Sequence, residues 1–157
     1  MTKQIVKKHV KAAFNKADYD RSDQPAKNVI VKYLENNGHE ILNTKEDYNV
    51  DIKSIKGDNK YFSEVEIKWG WKGDWNPSWA EIRIPYRKQR LIDKKERTGE
   101  SNSFLNFYVI RSDLEYAWRI KDSLMLESEV REASGRYITK GEKFFHIPYE
   151  KAELIKL

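Results

Sequence analysis

The tetrapeptide Lys56-Gly57-Asp58-Asn59 lies between two segments of alternating polarity, and this arrangement constrains the chain more than any other. In 49–55, Val50 and Ile52 alternate with Asn49, Asp51 and Lys53; in 61–69, Val65, Ile67 and Trp69 alternate with Glu64, Glu66 and Lys68. Period-two alternation marks a half-buried strand. Gly-Asp at the two central positions specifies a hairpin turn of type II′, because glycine accepts the positive φ that the turn requires. The turn then fixes the register: Lys56 faces Asn59, and Asp51 faces Glu64. Glu66 becomes the diagonal neighbour of Asp51 on the same face, with Cβ atoms roughly 7–8 Å apart. Lys68 shares that face. A slip of one residue would turn Asp51 to the other side of the sheet.

The flanking sequence supplies the other elements. Residues 3–17 read as a basic helix with Val6, Val10, Ala13 and Phe14 on its narrow apolar side, either packed on the domain or serving as a phosphate-contacting arm. A polar break at 18–23 leads to a second helix, with Pro25 in its first turn, Ala26, Val29, Ile30, Tyr33 and Leu34 as its buried stripe, and Gly38 as its stop. A short strand is expected at 40–43. After the hairpin come the loop WGWKGDWNPSW, a basic helix over 86–97, strands at 104–110 and 116–120, a short helix at 124–133, a strand at 143–147 and a helical turn or two at 149–157. This order predicts an α+β (α/β) domain with a mixed central sheet. The boundaries are an N-terminal basic helix and linker over 1–22 and a single domain over 23–157.

Composition removes several classes of function. The 157 residues include no cysteine, which excludes disulfide scaffolds, thiolate metal sites and thiol nucleophiles. His9, His39 and His146 are far apart in sequence and form no paired metal motif. No apolar run approaches the roughly 18 residues of a membrane span, and the first ten residues lack the apolar stretch of a signal peptide. The expectation is a cytoplasmic protein without a membrane partner. The net charge of +5 suits a polyanion without requiring one.

Acids and a lysine on one sheet face suit phosphodiester chemistry. A hard cation such as Mg²⁺ takes oxygen ligands and binds through one or two carboxylates together with substrate phosphate oxygens. A neighbouring ammonium can orient water or stabilise developing negative charge. The acid-x-Lys triplet alone carries little information, since four occur: Asp51–Lys53, Asp58–Lys60, Glu66–Lys68 and Asp93–Lys95. Only Glu66–Lys68 lies on an apolar strand with an upstream acid across a hairpin and a capped helix before it.

In the runs VIVKYLENNGHEIL and NVDIKSIKGDNKYFSEVEIKW the sequence resembles the PD-(D/E)XK nuclease superfamily, over about residues 26–92. Val50 stands where the family's motif has proline. The resemblance implies a restriction-endonuclease-like core: helix, three-stranded antiparallel meander, helix and further strand, with helices flanking the sheet. It implies Mg²⁺, with Mn²⁺ as a substitute, held by Asp51, Glu66 and the backbone carbonyl of Ile67, and catalysis assisted by Lys68. Gln89 is placed to act as the glutamine that several members carry on the next helix; the alternative is a surface residue. Glu35 and Glu64 are further candidate ligands, Glu35 by analogy with an acid on the first helix of some members. Lys72, Arg83, Arg87, Lys88 and Arg90 are candidate phosphate contacts. Trp71 and Trp75 either stack on bases or anchor the loop, whereas Trp69 and Trp79 read as structural. The expected activity is metal-dependent hydrolysis of nucleic acid, DNA before RNA and endonuclease before exonuclease, with a homodimer implied by resemblance. The competing readings are an inactive nucleic-acid-binding module of the same fold and a protein-interaction domain that uses the tryptophan loop.

Overall fold

The structure is a computed structural model that describes residues 16–42, 51–135 and 138–157, with the backbone alone for 16–23. In chain order the elements are α1 (Lys16–Asn36), β1 (Glu40–Ile41), β2 (Ile52–Lys56), β3 (Asn59–Lys68), β4 (Glu81–Pro85), a 3-10 turn (Tyr86–Lys88), α2 (Gln89–Thr98), β5 (Ser103–Arg111), β6 (Tyr116–Lys121), α3 (Asp122–Leu126), β7 (Glu129–Glu132), β8 (Lys143–Pro148), a second 3-10 turn (Tyr149–Lys151) and β9 (Glu153–Lys156). The described strands form a six-stranded sheet, β1-β2-β3-β5-β6-β9, and a three-stranded sheet, β4-β8-β7. β3 and β5 run parallel, with β4 and α2 in the connection between them. The neighbouring pairs β1–β2, β2–β3, β5–β6 and β6–β9 are antiparallel. The large sheet is therefore mixed and the fold is α+β.

The β2–β3 hairpin follows from its turn. Gly57 has φ +60° and Asp58 has no positive φ, the type II′ pattern. Lys56 pairs with Asn59, and the register continues through Ile55 with Lys60 to Ile52 with Ser63. Period-two alternation then splits the sheet's side chains between two cores. On one face, Ala26, Ile30 and Leu34 of α1 pack with Ile52, Val65, Tyr108, Ile110, Ala117 and Ile155. On the other, Leu91 and Ile92 of α2, Met125 of α3 and Ile82, Ile84, Phe145 and Ile147 of the small sheet cover Leu105, Phe107, Val109, Trp118 and Ile120. Each fully buried aliphatic side chain contributes roughly 1.5–3 kcal/mol. At the end of α1, Gly38 takes φ +89° and the His39 N–H donates to the Leu34 carbonyl at 3.0 Å, which closes the helix.

Several elements differ from the sequence expectation. Residues 3–15 lie outside the described residues, as do Asn43 and the start of the strand expected at 49–55. The helix expected to begin near Pro25 is already formed at Lys16 and passes through 18–23, leaving Pro25 inside it. The helix-propensity penalties of Asp and Ser are only a few tenths of a kcal/mol each, too small to force a break. The helix expected at 124–133 stops at Leu126, and Glu129–Glu132 is the edge strand β7. All four β7 residues are exposed, so β7 has no apolar alternation to reveal it. Its order comes from backbone pairing with β8 and from Arg131, which donates twice to the Glu81 carboxylate at 2.8 and 2.7 Å. The expected C-terminal helix is a single 3-10 turn followed by β9, which pairs with the outer edge of β6 and buries Ile155. Among the described residues, no helix is long and apolar enough to cross a membrane.

Candidate functional site

β3 carries the site because its alternation breaks from apolar to charged on one face only. Val65 and Ile67 point to the α1 core. Phe62 packs on the opposite core, and Glu64, Glu66 and Lys68 follow it on that face. Their rungs on β5 are Phe107, Val109 and Arg111. The charged half of the face thus continues an apolar surface, with Glu64 buried, Lys68 half-buried and Glu66 exposed.

Asp51 lies just beyond the end of β2, where the hairpin register places it opposite Glu64. Its N–H donates to Glu64 Oε2 at 2.8 Å. Its own carboxylate turns back on the hairpin: Oδ2 accepts the Val65 N–H at 3.0 Å, and Oδ1 lies 3.6 Å from the Nζ of Lys27. Lys27 is a buried residue on α1. On the far side of Glu64, Oε1 accepts from Lys88 Nζ at 2.8 Å. Lys88 closes the 3-10 turn that follows Pro85. The result is a pair of acids flanked by two lysines, Lys27–Asp51–Glu64–Lys88, across the open end of the hairpin.

Glu66 and Lys68 continue the face. Glu66 is the exposed acid of this face, whereas Glu64 is buried. Desolvation by low-dielectric neighbours raises the Glu66 carboxyl above the ordinary glutamate range, against the opposing charges of Lys88, Arg87 and Lys68. Glu64 is also raised, first by burial and then by the negative charge of Asp51. Burial lowers Lys68, and Glu66 opposes that shift while Arg83 reinforces it. The Lys68 ammonium lies 5.1 Å from the centre of the Trp79 ring. Arg87 pairs with Glu142 at 3.1 Å.

These positions bring some of the expected residues together. Asp51 meets Glu64 directly, whereas Glu66 has Lys88, Arg87, Lys68 and Glu142 as its charged neighbours. Among the described residues, no three of His, Cys, Asp and Glu form a group that could hold a metal ion. The donor chemistry of Asp51, Glu64, Glu66 and the Ile67 carbonyl is nevertheless all oxygen, which suits a hard divalent cation. Like charges spread unless a cation joins them, and here ammonium groups perform that task. Gln89, the first residue of α2, donates to Asp93 at 2.9 Å, one turn along its own helix. Glu35 is exposed and lies eight residues beyond Lys27, about 12 Å along the helix axis. Lys27 is thus the α1 residue at Asp51, and Glu35 is removed from the candidate ligand set.

The tryptophan loop reverses part of its expected assignment. Trp71 is 1% exposed. Its ring meets Trp75 edge-on at 5.1 Å and stacks on Trp118 at 6.0 Å. Trp75 also meets Trp79, at 5.2 Å, and donates from Nε1 to the Trp79 carbonyl at 2.9 Å. Trp71 therefore belongs to the core and is unavailable to stack on bases, and the partly buried Trp75 packs against that core. Trp69, read from the sequence as structural, is 57% exposed. The cause is the tether on residue 71: its carbonyl accepts from the Ser112 N–H and hydroxyl at 3.1 and 2.8 Å, and this pulls the loop onto the β5–β6 turn. Lys72, Arg83, Arg87 and Arg90 are exposed. Sequence reasoning missed Lys27, although it directly follows Ala26 in the buried stripe. It also assigned Lys88 only to phosphate, because contact across two elements has no sequence signal.

No protein-family model matches this chain, and no curated protein matches it significantly.

Proposed function

We propose that the chain is a metal-dependent nuclease of the PD-(D/E)XK type, with a restriction-endonuclease-like core, that hydrolyses phosphodiester bonds in DNA. One observation carries the reading. Glu64, Glu66 and Lys68 share one face of β3, and Asp51 meets Glu64 at the open end of this register-locked hairpin, with the basic turn before α2 alongside. The order of helix, antiparallel meander, helix and a strand parallel to the meander's last strand supports the fold assignment. Asp51, Glu66 and the Ile67 carbonyl would hold Mg²⁺ or Mn²⁺, with Glu64 in reserve. A cation bound there supplies a polarised phosphorus and a more acidic water.

The protein's own groups supply the rest. Lys68 stands beside Glu66, and its partly desolvated ammonium stabilises negative charge developing on the scissile phosphate. Arg83 and Arg87 hold flanking phosphates. Val65 and Lys27 orient the Asp51 carboxylate through the contacts at 3.0 and 3.6 Å. The test is a panel of duplex, branched and single-stranded DNA and RNA with Mg²⁺ or Mn²⁺, run beside Lys68→Ala and Asp51→Asn. The wild type should cleave DNA, and both variants should fold and lose cleavage. Full activity in either variant removes the assignment.

A second reading rests on the same contacts. Lys27 and Lys88 already neutralise Asp51 and Glu64, as they would in a non-catalytic module that binds nucleic acid through its basic surface. Salt-dependent binding of DNA without cleavage under any metal condition would select that module.

A further inference from the structure

The face of the large sheet turned away from Glu64, Glu66 and Lys68 is built in two halves. Alternation puts Val65, Tyr108, Ile110 and Ala117 in one half, and α1 packs with them. Toward the hairpin turn the same face changes character. The register carries it through two rows, Ser54–Tyr61–Phe104 and Ser63–Asn106–Lys121. The Tyr61 and Phe104 rings stack at 5.1 Å with 22° between their planes, and His39 meets Tyr61 edge-on at 4.6 Å. Phe104 is nevertheless 41% exposed, so the stacked pair presents an aromatic ring to solvent. Asn106 follows two residues along β5 on the same face.

β6 supplies the charge. Lys121 is exposed and pairs with Asn106 in the register, which makes it the diagonal neighbour of Phe104. Such neighbours lie roughly 7–8 Å apart, within reach of a long side chain. Arg119 precedes Lys121 on the same face, and both line an open cleft of about 230 Å³ with Leu124, Lys151 and Glu153. Glu153 is paired with Arg119. Three cations against one acid make this cleft favourable to an anion. Aromatic ring, side-chain amide and basic cleft thus follow one another as the base, base edge and phosphate of a nucleotide do.

We propose that this half of the sheet face binds single-stranded nucleic acid: a base stacks on Phe104, Asn106 hydrogen-bonds its edge, and the adjoining phosphate enters the cleft of Arg119, Lys121 and Lys151. Stacking on an aromatic side chain tolerates any base but needs an unstacked one, so the site favours an unpaired strand over a duplex. It lies on the opposite face from the acids and goes beyond the nuclease reading.

The experiment measures fluorescence anisotropy of a labelled oligodeoxythymidylate with the full chain in EDTA, which prevents metal-dependent cleavage. Phe104→Leu keeps an apolar side chain against Tyr61 and should weaken binding about tenfold, equivalent to about 1.4 kcal/mol and within the range for one stacked base. Phe104→Trp should bind at least as tightly as the wild type. Lys121→Gln should reduce the slope of log affinity against log salt by about 0.7, the release expected for one single-strand phosphate contact. Trp69→Ala, an exposed aromatic outside the site, should stay within about twofold of the wild type. In the wild type, a strand carrying bromodeoxyuridine should photo-crosslink to Phe104, a readout that needs no variant. Wild-type protein that binds no single strand, Phe104→Leu within about twofold of it, an equal loss in Trp69→Ala or on blunt duplex, or crosslinks that miss Phe104 would overturn the site. Cleavage assayed separately with Mg²⁺ reports on the acid face, so either reading can fail without the other.

Discussion

Replacing Trp71 separates a core tryptophan from a base-stacking one. The side chain is 1% exposed and touches the rings of Trp75 and Trp118. Truncation of a buried tryptophan to alanine costs about 3–5 kcal/mol, from lost transfer free energy and from the cavity left behind. A domain of this length loses about 2–4 °C in Tm per kcal/mol, so Trp71→Ala should melt about 6–20 °C below the wild type. Trp71→Phe tests the reasoning more finely. The indole Nε1 is buried and has no hydrogen-bond partner among the described residues. Phenylalanine loses the five-membered ring but also removes an unpartnered donor, whose burial costs roughly 1–3 kcal/mol. The two terms oppose each other, and Trp71→Phe should cost less than about 2 kcal/mol. The exposed Trp69 supplies the control: Trp69→Ala should stay within about 0.5 kcal/mol. Thermal melts by circular dichroism, checked by urea titration at fixed pH, measure all three. A Trp71→Ala protein that melts within about 2 °C of the wild type would refute the placement of this ring in the core.

Three other outcomes follow from the site. Lys68→Ala should leave Tm near that of the wild type and lower cleavage about 10²–10³-fold, the usual loss when one group that stabilises transition-state charge is removed; single-turnover kinetics at saturating Mg²⁺ measure it. Lys27→Met deletes the ammonium 3.6 Å from Asp51 while the Val65 N–H remains on the carboxylate, so it should cost about 1–3 kcal/mol in urea unfolding, less than the loss of a buried ion pair with no other partner. Desolvation raises the folded-state carboxyl of Glu66, so its charged form opposes folding above that raised value and ceases to do so below the unfolded value near pH 4. Glu66→Gln should therefore melt higher than the wild type at pH 8 and lose that advantage as pH falls towards about 4; a difference that is constant with pH would remove desolvation as the cause.

The parts of the fold legible in the sequence were those in which one local rule acts alone. Gly57-Asp58 admits one turn type, the turn fixes one register, and alternation in β3 assigns each side chain to a face. The stripe of Ala26, Ile30 and Leu34 and the positive φ at Gly38 likewise follow from residues within one helix. What escaped depends on partners distant in sequence. β7 is exposed along its whole length and exists because β8 offers an unpaired edge. β9 forms because β6 does the same, with Ile155 as its one buried side chain. In the tryptophan loop the composition was legible but the direction of each ring was not, because the direction depends on Ser112 holding the carbonyl of residue 71.

The site shows the same division. Register alone brings Asp51 to Glu64, since both belong to one hairpin. The cations that complete the network come from α1 and from the turn before α2, and no spacing within the hairpin can announce them. Their presence changes what the acids mean. Glu64 is buried beside the negative charge of Asp51 and needs Lys88 to compensate it, and a purely structural sheet would lower its free energy by replacing Glu64 with an apolar residue like its rung partner Phe107. β3 instead continues Phe62 into Glu64, Glu66 and Lys68 while its other face stays apolar at Val65 and Ile67. A charged stripe that burial disfavours, at the end of a hairpin whose turn and register are otherwise well satisfied, is local strain confined to one spot. Such conflicts concentrate where a protein handles a charged ligand. Lys88 relieves this conflict at Glu64 from one side of the face.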